Sequence, residues 1–257
     1  MKFRPCIDIH NGKVKQIVGG SLLDEGNQAK ENFVATQDAA FYANLYKDTG
    51  IKGGHIILLN KAGTEYYDAD VEQARLALSA YPNGLQIGGG ITAENAAQFL
   101  EMGASHVIVT SYVFSDGKIN YERLHRLVNT VGKEHLVLDL SCRKKDGQYY
   151  IVTDRWQKFT DEVVCQETIL KLQDYADEFL IHAVDVEGKA NGVEQDLVRM
   201  LSEYAGVPVT YAGGVGSYED IEVLRTLGKG RLHVTIGSAL DLFGGKLEYD
   251  KVLSMMD

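Results

Sequence analysis

The chain has 257 residues, 45% of them apolar and 24% charged, which is enough for one large core or two modest ones. A formal net charge of −10 argues against nucleic acid or an anionic membrane as partner, although a local pocket can still hold an anionic metabolite. Cys6, Cys142 and Cys165 lie far apart, and neither a leader pattern nor a run of about 18 apolar residues occurs, so a cytoplasmic protein without disulfides or thiolate metal sites is expected.

Short aliphatic runs at 3–9, 55–59, 85–87, 106–110, 135–140, 178–184, 207–211 and 232–236 read as strands covered on both faces. Helical patterns separate them. Thr92 precedes Ala96, Phe99 and Leu100 and a stop near Gly103. Leu124, Leu127 and Val131 run to Gly132, and Leu197, Leu201 and Tyr204 run to Gly206. Ser217 can cap a helix through Leu224 and Leu227, with Asp220 at its third position and Gly228 as the stop. Strands alternating with helices imply a parallel sheet, and eight of them close most simply into a single (β/α)8 TIM barrel spanning 1–257. The alternative, an open doubly wound sheet, lacks a Gly-x-Gly-x-x-Gly after the first strand.

Two connections, 11–34 and 141–159, show no clear helix and far exceed the roughly 2–6 residues of a usual strand-to-helix loop. They look too polar and glycine-containing to pack as core, so they are expected to be mobile lids. Both follow strands that end in an aspartate, Asp8 and Asp139. His55, His106, His135 and His233 stand at strand starts, where a barrel keeps stability rather than chemistry. Only His10 and His182 lie near the other ends, too few for a metal cluster, so no metal is expected.

Two carboxylates without a metal set, a nucleophilic pair or a cofactor fingerprint point to general acid–base work with no cofactor. Around them stand two glycine segments, Gly88-Gly89-Gly90 before Thr92 and Gly213-Gly214 before Ser217. Glycine lets a backbone approach a ligand, and a following helix start favours a phosphate. Each has a partner one strand later, Thr110-Ser111 and Gly237-Ser238. Asp8 and Asp139 are 131 positions apart, Gly89 and Gly213 are 124, and Ser111 and Ser238 are 127. These near-equal offsets suggest duplicated half-barrels, about 1–130 and 131–257, each with one phosphate grip and one aspartate. The expected ligand is an elongated bisphosphate lying across the barrel mouth.

The opening Cys-Ile-Asp-Ile-His-Asn-Gly-Lys-Val, with Val18-Gly19-Gly20 further on, resembles the ProFAR isomerase family of histidine biosynthesis in its eukaryotic-type branch. So do Leu85-Gln86-Ile87-Gly88-Gly89-Gly90-Ile91, Phe179-Leu180-Ile181-His182-Ala183, Tyr211-Ala212-Gly213-Gly214-Val215 and Ile236-Gly237-Ser238-Ala239-Leu240. The resemblance implies an Amadori rearrangement of an aminoaldose to an aminoketose within a bisphosphorylated imidazole ribotide. It implies Asp8 as proton acceptor and Asp139 as donor, the latter kept partly protonated by a raised pKa. It further implies that Trp156 stacks on the substrate, and that Gly20, Gly89, Gly90, Ser111, His182, Gly213, Gly214, Gly237 and Ser238 contact substrate or phosphate. Lys or Arg within 143–145 would lie near the ligand's charge. Leu58, Asn60, Thr92 and His182 depart from the common bacterial pattern, which puts the second-strand loop's role in doubt. The small bisphosphate is the one partner implied, with the protein a monomer. The rivals are the cyclase subunit of imidazole glycerol phosphate synthase, a phosphoribosyl anthranilate isomerase using a cysteine–aspartate pair, and a barrel that only binds a sugar phosphate.

Overall fold

The computed structural model describes residues 1–17, 31–204 and 206–256. Strand β1 (Cys6–His10) continues into an antiparallel arm, β2 (Lys13–Ile17) and β3 (Glu31–Val34). There follow α1 (Ala39–Asp48), β4 (Gly54–Leu58), α2 (Tyr67–Ala80), β5 (Leu85–Gly88), α3 (Ala96–Glu101), β6 (His106–Val109) and a short pair, β7 (Phe114–Ser115) and β8 (Lys118–Ile119). Helix α4 (Tyr121–Val131) leads to β9 (Leu136–Asp139) and a three-stranded antiparallel sheet, β10 (Cys142–Lys145), β11 (Gln148–Thr153) and β12 (Lys158–Val163). The chain then runs through α5 (Gln166–Leu172), β13 (Glu178–His182), α6 (Gln195–Ser202), β14 (Val209–Ala212), α7 (Tyr218–Leu227), β15 (Leu232–Thr235) and α8 (Tyr249–Ser254).

The parallel strands pair in the order β1-β4-β5-β6-β9-β13-β14-β15. Residues ahead of β1 close the ring. Phe3 bridges Val234 in parallel, the Arg4 N–H donates to Val234 O, and the Val234 N–H donates to Lys2 O. The eight expected strands thus form a (β/α)8 barrel. In that ring β1 and β9 stand four positions apart, and so do the pairs β5/β6 and β14/β15.

Alternation along each strand divides the core in two. Ile7, Ile9, Leu136, Leu138, Phe179 and Ile181 belong to the large cluster between sheet and helices. Their neighbours face the barrel interior, where Ile108, Val137, Leu180 and Ala212 form a separate small layer against Ile57. The strands are therefore not aliphatic on both faces, as the sequence suggests. The interior face is mixed. Near the strand starts it holds Glu178, which pairs with Arg4 at 2.9 Å and accepts from Gln86 at 3.2 Å and Thr210 at 2.5 Å. Such partners are what make a buried carboxylate tolerable. The same interior parity carries Asp139 and His182 at the opposite ends of their strands, and Asp8 at the middle of β1, which runs on to His10 rather than ending at the aspartate.

Local signals explain the element boundaries. Ser217 and Asp220 form the expected capping box of α7, and Gly228 closes that helix. Thr92 does not start α3. The Asn95 side chain accepts from the Thr92 N–H and donates to Gly90 O, so a turn occupies 92–95 and the helix begins at Ala96. Among the described residues the long connections carry no helix, as expected, yet they form strands rather than loops; residues 18–30, which the lid expected over 11–34 includes, lie outside the described residues. Asn11-Gly12 and Asp146-Gly147 have positive φ (52° and 71°, 51° and 80°), the pattern of tight hairpin turns. Within 141–159, Cys142, Tyr149, Ile151 and Val152 are buried, and Cys142, Tyr149 and Ile151 join the large cluster, so this segment packs as core, contrary to the expectation from its polarity.

Candidate active site

Asp8, Asp139, Gly89, Gly90, Ser111, Trp156, His182 and Gly237 line one cavity of about 460 Å³ at the C-terminal ends of the barrel strands. Gly213, Gly214, Gly237 and Ser238 line a smaller hollow of about 20 Å³. Glu187 borders both. Gly20 lies outside the described residues. The cavity floor reaches down to His55, whose ring stands edge-on to that of His182 at 6.4 Å between centroids. His55 is thus less remote from the site than its place at a strand start suggests.

The two aspartates occupy like positions in very different surroundings. Asp8 receives one weak hydrogen bond, from Gln16 Nε2 at 3.4 Å. Burial, and then the Glu187 carboxylate, push its pKa up to about 7 against the opposing pull of His182 and Gln16. Asp139 accepts from the Ser141 N–H and hydroxyl, both at 2.8 Å, and from the Thr110 hydroxyl at 3.1 Å. His182 Nδ1 faces it at 3.6 Å, an ion-pair distance slightly too long for a hydrogen bond. Burial alone would raise Asp139, but His182 and these donors outweigh it and hold the carboxyl below its ordinary value. The raised pKa expected for Asp139 is therefore found on Asp8 instead. His182 responds in kind: burial opposes its charge, yet Asp139, Glu187 and Asp8 together push it up to about 9.

The glycines serve first the packing of the chain on itself. A Cβ at Gly89, where φ is +100°, would lie 2.1 Å from Leu58 O, and one at Gly214 would lie 2.1 Å from Gly192 O. Gly90 is different: it has a φ of +70° and nothing within 4 Å of where a Cβ would be, so its backbone opens to the cavity.

The β11–β12 turn roofs the cavity. Asp154, Arg155 and Trp156 all adopt left-handed φ (50°, 57° and 67°), a conformation non-glycine residues hold only when other contacts impose it. Those contacts are the Asp154 N–H to Ser111 Oγ (3.1 Å), Arg155 to Leu59 O (2.9 Å) and Trp156 Nε1 to Ser141 Oγ (3.0 Å). The Trp156 ring also rests 5.7 Å from that of His182. The basic residues expected near the ligand's charge turn elsewhere. Arg143 pairs with Asp185, Lys144 pairs with Asp196, and Lys145 lies over the rings of Tyr150 and Phe159. Arg155 lines the cavity in their stead.

A family model described as "Histidine biosynthesis protein" matches residues 2–248. The chain belongs to this family. It is 54% identical to a protein of Medicago truncatula named a chloroplastic 1-(5-phosphoribosyl)-5-((5-phosphoribosylamino)methylideneamino) imidazole-4-carboxamide isomerase, over 99% of this chain and 81% of that protein. Proteins of Yarrowia lipolytica and Saccharomyces cerevisiae with the same isomerase name are 47% and 44% identical, covering 95% and 96% of this chain and 93% and 94% of theirs. The plant relative's name places that protein in the chloroplast, not in the cytoplasm expected from composition. No helix among the described residues is long and apolar enough to cross a membrane.

In this histidine-biosynthesis barrel, sequence reasoning passed over Glu187, Gln16 and Arg155. Glu187 had a signal: a carboxylate followed by glycine, Glu187-Gly188, five residues beyond the strand end at His182. Gln16 had none, because only the fold-back of β2 on β1 brings its amide to Asp8.

Proposed function

We propose that the chain is an aldose–ketose isomerase that carries out an Amadori rearrangement of a bisphosphorylated imidazole carboxamide ribotide. The observation that carries this reading is the pair of cavity-lining aspartates on opposite strands, one poised near neutrality and one held ionised beside a histidine. The isomerase names of the relatives support it. A base working near pH 7 wants a pKa close to that pH, and Asp8 has it. Asp8 would take the sugar's C2 proton, while the Asp139 end of the site supplies the proton that opens the ribose ring.

The two half-barrels would each hold one phosphate, at Gly89-Gly90 with Ser111 and at Gly213-Gly214 with Gly237-Ser238, and Trp156 would cover the imidazole. An open site would hydrolyse the Schiff base, so exclusion of water is part of the chemistry. Burial and the charge of Asp8 raise the Cys6 thiol well above its ordinary value, so Cys6 fits poorly as the acid–base cysteine of an anthranilate-type isomerase.

Purified protein incubated with the aldose substrate, without ammonia or a glutaminase, should convert it, followed by product absorbance. Binding without conversion would leave only a sugar-phosphate-binding barrel. For the grips, Gly90→Ala should raise KM by roughly 10-fold, whereas Gly89→Ala should cost about 3 kcal/mol of stability, since its Cβ meets Leu58 O in a left-handed backbone. Equal melting temperatures for the two variants would sink that distinction.

A further inference from the structure

Resting on the isomerase reading above, we infer that His182, as an imidazolium paired with Asp139, is the group that hands the ring-opening proton to the substrate. Asp139 is badly placed to carry that proton itself. Trp156 Nε1–H can only donate, so Ser141 Oγ accepts from it, and the Ser141 hydroxyl proton is thereby aimed at Asp139 Oδ1. The Ser141 N–H points to the same oxygen, and Thr110 Oγ1 lies 3.1 Å from the other. A carboxyl fixed by these donors is built as an acceptor. Protonating it would weaken those bonds, which are stronger to a carboxylate than to a neutral carboxyl.

His182 has the opposite character. Its Nδ1 is buried, faces Asp139 at 3.6 Å and has no hydrogen-bond partner among the described residues. The side chain lines the cavity, with Trp156 on one side and His55 beyond it. With Nδ1 turned to Asp139, Nε2 is the ring nitrogen left to face a ligand. The charged groups around it are Asp139 on β9, Asp8 on β1 and Glu187 beyond β13, all carboxylates. Burial holds its other titratable neighbour, His55 on β4, neutral near pH 7. The surroundings thus favour a cation at His182 and an anion at Asp139, in agreement with the direction in which each is shifted.

The step balances without a further reactant. Nε2–H protonates the ribose ring oxygen, and the C1–O bond breaks with its electron pair going to that oxygen, which becomes a hydroxyl. The nitrogen lone pair forms the C1=N bond of a protonated Schiff base, and His182 is left neutral. Asp8 then removes the C2 proton. The C–H pair forms the C1=C2 bond, and the C=N pair returns to nitrogen as the enolamine.

The test compares His182→Asn and Asp139→Asn with the parent protein, reading kcat against pH from 5 to 10 and substrate binding by Trp156 fluorescence. His182→Asn should lose at least ~10²-fold in kcat while binding within a few-fold of normal, and the alkaline limb should vanish. Asp139→Asn should keep an alkaline limb but move it to lower pH, because the imidazolium loses its counter-ion. A loss below ~10-fold in His182→Asn, or an alkaline limb that Asp139→Asn leaves in place, overturns the assignment. Should the parent protein itself fail to convert the aldose, the isomerase reading is what falls. The charge on His182 is then read directly by imidazole-nitrogen NMR of the parent protein, where titration near the ordinary histidine value of about 6.5 also overturns it.

Discussion

The ends of β1 and β9 are the same place in two halves of one barrel, and they prepare their aspartates in opposite ways. At Asp8 the surroundings offer one weak amide donor and a neighbouring carboxylate, so the side chain keeps a proton up to about pH 7. At Asp139 two hydroxyls, a backbone N–H and a histidine converge, and the side chain stays ionised. The fold sets where each carboxylate stands. The side chains that reach it from other segments set whether it is charged.

Three substitutions test that contrast. Asp8→Asn carries the largest expected effect: kcat should fall by at least ~10²-fold, while stability moves the other way. A carboxyl whose folded pKa lies above its unfolded value makes folding less favourable as pH rises from 3.8 towards 7, so its removal should stabilise the protein above pH 7. The gain could reach roughly 4 kcal/mol, less whatever solvent in the cavity relieves, and it should shrink as pH is lowered towards 4. Denaturant melts at pH 8 and pH 5 would show it. An Asp8→Asn variant no more stable at pH 8 than at pH 5, relative to the parent, would mean that Asp8 is not strained by its burial.

Ser141→Ala should have the intermediate effect, about 10-fold in kcat. It removes one hydroxyl donor from Asp139, a loss of about 1 kcal/mol, together with the acceptor of the Trp156 N–H. The alkaline limb should stay in place, because Asp139 keeps its charge beside His182, and the tryptophan emission should change. An unaltered emission would show that Trp156 is held by something else. Glu187→Gln should do least to the maximal rate, within ~3-fold. It takes away the anion that raises both Asp8 and His182, so both limbs of the pH–rate curve should shift to lower pH. In the parent protein those limbs should fall near 7 and 9, with an optimum of about 8. If only the alkaline limb moved, Glu187 would act on His182 alone.

Much of this was legible in the sequence, for reasons that also explain what was not. The strands were visible because their outward residues, such as Ile7, Ile9, Leu136 and Leu138, must all be aliphatic to meet the helices. The aspartates were visible because a carboxylate closing such a run has no structural reason to be there. The protonation of Asp139 was not. It depends on Thr110 and His182, which lie 29 and 43 positions away and come near only through strand pairing. The sheet β10–β12 read as a loop because Arg143, Lys144 and Lys145 interrupt its apolar pattern, although the buried partners Tyr149, Ile151 and Val152 lie one hairpin later. Thr92 placed the helix start one turn early: its hydroxyl accepts from the Glu94 N–H as a cap's would, but a turn intervenes and α3 begins only at Ala96.

The separation of the core into an outer cluster and a small inner layer has a consequence for how the gene can change. Because side chains alternate faces along a strand, deleting a single residue between Cys6 and Asp8 would exchange the two faces of everything beyond it. Ile9 would turn inward towards the cavity, and the Asp8 carboxylate would press into the greasy seam against the helices. Point substitutions on the inner face leave that seam intact, so this chain can trade one chemistry for another residue by residue, but it cannot absorb a one-codon slip inside a barrel strand.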